Sequence, residues 1–371
     1  MLRIGDFDAF AISVPLAKPV RMAGGIVSSA KNLVVRIADV EGRVGWGEAA
    51  SAPAMTGELP EGMVAAAKFM GSSLVGREFG DFSAVQKLPA VLRSRLHGNS
   101  GPKAAIEIAL LDLWGKAARR PVFDLLGGKK RDLAPALAMV AGGSLEEEES
   151  NARLHASMGC RCFKVKVGVN DPSTDLERCR SIRSALGAEA QISADANQGF
   201  TVAEAIEFAK GAKEAGLDFM EQLTDGRDIL GMAAAASASD VPLGADEGIH
   251  DIEDIRHHHE KRAAMGGSLK PIKLAGLFGV MEAGQLMEQL GMKVNLAGKI
   301  AETSIASAAI AHLSAALPQL DWGVSVTCQY LAEDIVRKPI RAENGHVRAP
   351  GAPGLGTDPD IGLLEKYRVK L

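Results

Sequence analysis

Phe163-Lys164-Val165-Lys166-Val167 is followed by Ser193-Ala194-Asp195-Ala196-Asn197, Phe219-Met220-Glu221-Gln222, Gly244-Ala245-Asp246-Glu247-Gly248 and Ser268-Leu269-Lys270-Pro271. Asp195, Glu221, Asp246 and Lys270 stand 26, 25 and 24 positions apart. A step of about 25 residues suits one strand–loop–helix–loop unit, and one charged residue per unit, at the same place in each, is how a (β/α)8 barrel gathers a site at the C-terminal ends of its strands. Residues i and i+2 of a strand share a face, so Lys164 and Lys166 point the same way and Val165 points to the other. With Val165 against the helices, both ammonium groups enter the barrel.

The same rhythm extends to either side. Strands are predicted at 136–140, 162–167, 191–195, 219–222, 243–246, 269–272, 294–297 and 322–326, with helical stretches between them. Eight βα units without an obvious hairpin predict a closed parallel barrel over residues 129–340. Residues 1–128 read differently. Strands at 8–15 and 31–38 flank a flexible Gly-rich stretch at 22–29, a second loop covers 51–58, and helices fill 60–120. This is an α+β domain, strands first and helices after. The segment 341–371, with Pro353-Gly354-Leu355-Gly356, breaks the βα rhythm and is expected to leave the barrel.

Composition limits the function classes. The chain has 371 residues, 47% hydrophobic and 24% charged, with a formal net charge of −4. That describes a globular protein with no electrostatic reason to bind nucleic acid or an anionic membrane surface. The longest apolar run is too short to span a bilayer. Asp6 and Asp8 interrupt the N-terminal apolar stretch where a signal peptide needs continuity, so a cytoplasmic location is expected. Cys160, Cys162, Cys179 and Cys328 lack metal spacing and read as buried thiols.

A lone carboxylate at a strand end is most often a cap for the next helix. Three of them in successive units converge on one point, where they repel unless a cation compensates. Oxygen-only ligands favour Mg2+, with Mn2+ as the alternative, over zinc. Lys270 lies roughly across the barrel from Lys164 and Lys166, which puts a base on each face of a metal-chelated carboxylate. A lysine there is expected to have its pKa lowered towards neutrality by neighbouring cations. A cation stabilises the enediolate formed when a proton leaves the carbon α to the carboxylate.

These residues resemble the enolase superfamily, specifically its muconate lactonizing enzyme subgroup. Gly45-Trp46-Gly47-Glu48, the 109–128 segment ALLDLWGKAARRPVFDLLGG, Lys270 with Ala275-Gly276-Leu277, and Pro353-Gly354-Leu355-Gly356 extend the likeness over nearly the whole chain. The resemblance implies Asp195, Glu221 and Asp246 as metal ligands and Lys166 and Lys270 as the acid/base pair. It implies Lys164 as the cation beside the substrate carboxylate, and Asn197 and Glu247 as residues supporting these, with a plain cap or turn role as the alternative for both. The resemblance makes residues 1–128 a capping domain that the 341–371 segment completes; its loops 22–29 and 51–58 would close over the site and set specificity, the substrate would be a small carboxylate, and the assembly a homo-oligomer. Racemase or epimerase chemistry on an amino-acid derivative comes first, then muconate-type cycloisomerisation, then acid dehydration. A Schiff-base aldolase would leave the three carboxylates without a purpose, and a non-catalytic barrel would not need the lysines.

Two departures bear on substrate. Leu223 follows Glu221-Gln222 where the family often has proline. The eighth strand reads Asp321-Trp322-Gly323-Val324-Ser325, without the Asp-x-Asp by which the family's dipeptide epimerases hold an α-ammonium group. Trp322 is expected to be a core or rim residue, with stacking on substrate as the alternative. His257-His258-His259 is expected to be solvated rather than metal-binding.

Overall fold

The computed structural model describes all residues except 23, 24 and 371. The N-terminal part is an antiparallel sheet of β1 (Leu2–Met22), β2 (Gly25–Asp39) and β3 (Val44–Ala50), followed by α1 (Pro60–Gly71), β4 (Glu78–Phe79), α2 (Phe82–Gln86), α3 (Leu88–Arg95) and α4 (Ser100–Ala118). The strands of the first hairpin exceed the expected ones. Residues 25–29 lie in β2, with Ile26 opposite Arg21 and Val27 opposite Val20, because the ladder continues almost to the hairpin tip. The expected loop at 22–29 is thus mostly strand, and its residues 23 and 24 lie outside the described residues. Gly45 and Gly47 let β3 lie directly on α4, where a Cβ would meet the carbonyl oxygens of Ala109 and Ala105 at 2.1 and 2.0 Å.

After α5 (Val122–Leu125) and β5 (Ala134–Pro135) comes the barrel. Its strands are β6 (Leu137–Val140), β7 (Cys162–Lys166), β8 (Gln191–Asp195), β9 (Phe219–Glu221), β10 (Leu243–Ala245), β11 (Gly266–Leu269), β12 (Lys293–Ala297) and β13 (Val324–Ser325). They pair in parallel in sequence order, and a bridge between Ala136 and Val324 joins the two ends. The intervening helices are α6 (Leu145–Ser157), α7 (Pro172–Leu186), α8 (Val202–Gly211), α9 (Ile229–Ser237), α10 (Ile252–Glu260), α11 (Leu277–Gln289) and α12 (Ser304–Ala316). The eighth strand is followed by a single 3-10 turn, Cys328–Tyr330, so the barrel is (β/α)7β rather than eight complete units. The tail then forms β14 (His346–Val347), α13 (Ile361–Tyr367) and β15 (Arg368–Val369), and β15 pairs with β1, completing the cap sheet. Among the described residues no helix is long and apolar enough to cross a membrane.

The sixth strand is displaced from its expected position, Gly266–Leu269 against 269–272. Trp322 gives the physical reason. Its ring stacks on Phe219 at 4.1 Å with 4° between the planes. A Cβ at Gly266 would lie 2.3 Å from it, and one at Gly244 2.7 Å. The tryptophan fills the barrel floor, and the strand beside it must begin with glycine, which hides the apolar signal of a strand. His258 also departs from expectation. It is 1% exposed, and its Nε2 lies 3.2 Å from the Gly248 carbonyl oxygen, while His257 and His259 face solvent. The four cysteines are free and buried, and burial pushes the thiols of Cys162, Cys179 and Cys328 up to about 11, 12 and 11.

Candidate active site

Lys164 and Lys166 project into the barrel from β7, and Val165 between them is fully buried on the helix side. Lys166 pairs in register with Asp195, and Asp195 with Glu221. The Lys164 Nζ lies 2.5 Å from Glu221 Oε2 and 3.7 Å from Asp195 Oδ2. Lys166 Nζ donates to Asp195 Oδ2 at 2.5 Å and to Asn197 Oδ1 at 2.6 Å, and Asn197 Nδ2 donates to Glu247 Oε1 at 3.0 Å. Lys270, just beyond β11, pairs with Asp246 Oδ2. The three carboxylates and three lysines therefore meet at the C-terminal end of the barrel.

The helix-cap alternative for the carboxylates fails on local structure. Helices α8, α9 and α10 are capped by Thr201, Asp228 and Asp251, each accepting from its own first turn. Asp195, Glu221 and Asp246 are left free of that duty, all about 1% exposed. Backbone in the left-handed region surrounds them, at Asn197, Gln198, Gln222 and Ala275, an unusual concentration for residues other than glycine.

Two supporting residues escaped the sequence reading. Lys273 is completely buried and donates to Asp246 Oδ1 at 2.7 Å, to the Ser268 carbonyl at 2.9 Å and to the Asp246 carbonyl. Its sequence signal was the three-residue spacing from Lys270. Gln222 accepts the amides of Asp246 and Gly248 at 2.8 and 3.0 Å, fixing the turn that presents Asp246. No sequence signal marked it.

The electrostatics follow from burial among lysines. Burial works to raise Asp246 and Asp195, but the ammonium groups of Lys270, Lys273 and Lys164 around the first, and of Lys166 and Lys164 around the second, hold both below the usual carboxylate range. At Glu221 burial prevails and its carboxyl is raised. Burial also brings Glu247 to about 7. For Lys270 burial would lower the pKa, but Asp246, Glu247 and Glu221 outweigh it and raise it. The expected lowering towards neutrality belongs to a lysine beside a bound cation; facing Asp246, Glu247 and Glu221 alone, Lys270 is raised instead.

Each carboxylate is drawn to a lysine, and among the described residues no three acidic, histidine or cysteine groups already stand at coordination spacing. The donor set nevertheless fits a hard divalent cation. It consists of oxygens alone, and Glu221 Oε1 is buried without any hydrogen-bond partner. Above it lies a cavity of about 370 Å³, small by the standards of ligand pockets. Its floor holds Lys164, Lys166, Asp195, Asp246 and Lys270. Its roof comes from the cap, with Gly25, Ile26 and Val27 of β2 and Ala52, Pro53, Ala54 and Met55 of the second loop.

A family model described as "Mandelate racemase / muconate lactonizing enzyme, N-terminal domain" matches residues 7–127, and one described as "Enolase C-terminal domain-like" matches residues 147–362. The chain belongs to the mandelate racemase/muconate lactonizing enzyme family of the enolase superfamily, and it is an isomerase of that family. It is 31% identical to the L-Ala-D/L-Glu epimerase of Clostridium acetobutylicum, over 96% of this chain and 98% of that one. The muconate lactonizing enzyme of Pseudomonas fluorescens, solved with muconolactone, superposes with a TM-score of 0.94 at 27% identity, covering 99% and 100% of the two chains. The dipeptide epimerase of Cytophaga hutchinsonii, solved with Mg and D-Ala-L-Val, gives 0.91 at 26%, covering 100% and 99%.

Proposed function

We propose that this isomerase moves a proton at the carbon α to a small substrate carboxylate, with Mg2+ or Mn2+ held by Asp195, Glu221 and Asp246, as a racemase or epimerase of an amino-acid derivative. The carrying observation is the placement of Lys166 and Lys270. They leave β7 and β11, four strands apart in an eight-stranded barrel, and enter one cavity from opposite sides. Two-base chemistry needs that opposition, since a proton leaves one face of the carbon and another arrives on the far face.

Lys166 is positioned by Asn197, whose own amide is tied to Glu247. Lys270, held charged by Asp246, is in the donor form and suits delivery of a proton in the direction it serves as acid. Lys164 places a further positive charge beside the floor of the cavity. The divalent cation, when bound, supplies Lewis-acid stabilisation of the negative charge that develops on the substrate carboxylate.

Incubation with Mg2+ in D2O tests this against a mixed set of N-acylamino acids, dipeptides, proline derivatives and muconates. Metal-dependent α-deuteration, abolished by EDTA and by Lys166→Ala or Lys270→Ala, is the expected result. Exchange that survives both substitutions would sink the two-base reading.

Cycloisomerisation is the second reading. The end of the eighth strand presents Ser325 and Thr327 to the cavity, while Asp321 lies below the site, bonded to the Val294 amide at 3.0 Å. A free α-ammonium group has no carboxylate partner on that side among the described residues. Deuterium in a ring-closed product would select this reading.

A further inference from the structure

Lys299, in the loop between β12 and α12, lines the same cavity and stands apart from the other lysines of the site. Lys164, Lys166, Lys270 and Lys273 are each paired with a carboxylate. Lys299 Nζ has neither a hydrogen-bond acceptor nor an ion-pair partner among the described residues. Its backbone is nonetheless fixed: the Lys299 carbonyl accepts Thr327 Oγ1 at 2.8 Å and the Glu302 amide at 3.3 Å. Gly298 makes room for this turn, since a Cβ there would come within 2.4 Å of Glu302 Oε2.

Burial, with Lys270, lowers the pKa of Lys299, and Glu302 is the acidic group whose charge works the other way. It is 2% exposed, and burial raises its carboxyl to about 8, so near neutral pH it is largely protonated. A half-buried ammonium on a fixed loop, facing a small cavity without a counter-ion, carries an electrostatic cost that an anionic ligand group would remove. The lining beside it, Ala297, Ile300, Leu137 and Met139, is apolar and suits a short carbon chain between two charged ends. A free ammonium group on the substrate would be repelled from the same corner.

We infer that the substrate carries a second carboxylate, which Lys299 binds at the strand-seven side of the cavity, making this lysine the determinant of a dianionic substrate class. The inference rests on the proton-transfer reading for the first carboxylate, which sits with Lys164 and the three acidic residues. N-Dicarboxylic-acyl amino acids and muconate-type diacids share the chemistry, and the experiment separates them.

The Mg2+-supplemented full-length enzyme would be given N-succinyl amino acids and their neutral succinamoyl isosteres, and cis,cis-muconate and its monoamide. Turnover would be followed by exchange in D2O, and binding by titration calorimetry. The expected result is a preference of about tenfold or more in kcat/KM for the dianion of one pair. In Lys299→Met that ratio falls towards one through KM rather than kcat, Lys299→Arg restores it, and circular dichroism verifies folding. The N-succinyl pair or the muconate pair, whichever responds, identifies the source of the second carboxylate. Turnover without discrimination, or discrimination that persists in Lys299→Met, overturns the inference and leaves proton transfer standing. Selective dianion binding that Lys299→Met removes, without any turnover, upholds the inference and sinks the proton-transfer reading. Neither turnover nor binding with any compound overturns both.

Discussion

Lys273 is where a single residue has most at stake. Its side chain is wholly enclosed and serves three acceptors, two on Asp246 and the Ser268 carbonyl. Burial lowers its pKa despite Asp246, yet removing it would leave that carboxylate with Lys270 alone. Breaking one side of a buried ion pair costs about 3–5 kcal/mol. Lys273→Met is therefore expected to lower urea stability by that order, and a change under about 1 kcal/mol would refute the structural role given to it. At this scale the sequence was informative where chemistry repeats. Asp195, Glu221, Asp246 and Lys270 were legible because one charged residue recurs per βα unit. Lys273, Gln222 and Lys299 lie off that period, and their contacts depend on turns whose shapes no spacing rule predicts.

Among the elements, α11 and α12 reveal how the cap is fastened to the barrel. Neither helix start is satisfied by local side chains alone. Glu48 of β3 accepts the amides of Thr303 and Ala306 at 2.9 and 3.0 Å, and Glu107 of α4 accepts the Phe278 amide at 3.0 Å. The first four amides of a helix need such acceptors, and here another domain supplies them. Burial raises Glu107 to about 8, well above the ordinary glutamate value. Between the unfolded pKa near 4.5 and the folded value near 8, the folded state holds a proton that the unfolded chain has lost. The stabilisation is thus complete below about pH 4.5 and is lost as pH rises to about 8. Glu302, also raised to about 8, acts in the same direction. His312, lowered to about 4, acts oppositely and only between about pH 4 and 6.5. Stability is expected to decline from pH 6.5 to 8.5, and Glu107→Gln should flatten that decline in thermal melts. An unchanged slope would mean that Glu107 remains ionised in the folded protein. Most barrel strands were legible as short apolar runs, whereas the sixth was placed three residues late, since Trp322 demands glycine at 266. Gly266→Ala should accordingly cost about 1–3 kcal/mol by overpacking, read from the urea midpoint, and a neutral result would remove Trp322 as the cause.

For the molecule as a whole, four ammonium groups of the site, Lys164, Lys166, Lys270 and Lys273, lie among four carboxyl groups, Asp195, Glu221, Asp246 and Glu247, and Lys299 stands outside that network. A divalent cation entering this network competes with the lysines for the same oxygens. Lysines that lose their carboxylate partners lose the attraction that raised them, and burial then acts unopposed to lower their pKa. Lys270, raised chiefly by Asp246 once burial is overcome, has the most to lose. Cation binding should therefore release protons, and by linkage Mg2+ affinity should rise with pH through the mildly alkaline range. Titration calorimetry in two buffers of different ionisation enthalpy measures that release directly. Binding confined to the folded state also stabilises it, by about 2.7 kcal/mol at a hundredfold excess over Kd, a shift of a few degrees in Tm. Glu221→Gln replaces an oxygen pair in which Oε1 is buried and unpartnered, so it should abolish most of the shift. Proton release, rising affinity and a Glu221-dependent gain in Tm together would assign the three carboxylates to the cation. A Tm indifferent to both Mg2+ and Mn2+ would instead leave them as the fixed partners of the lysines.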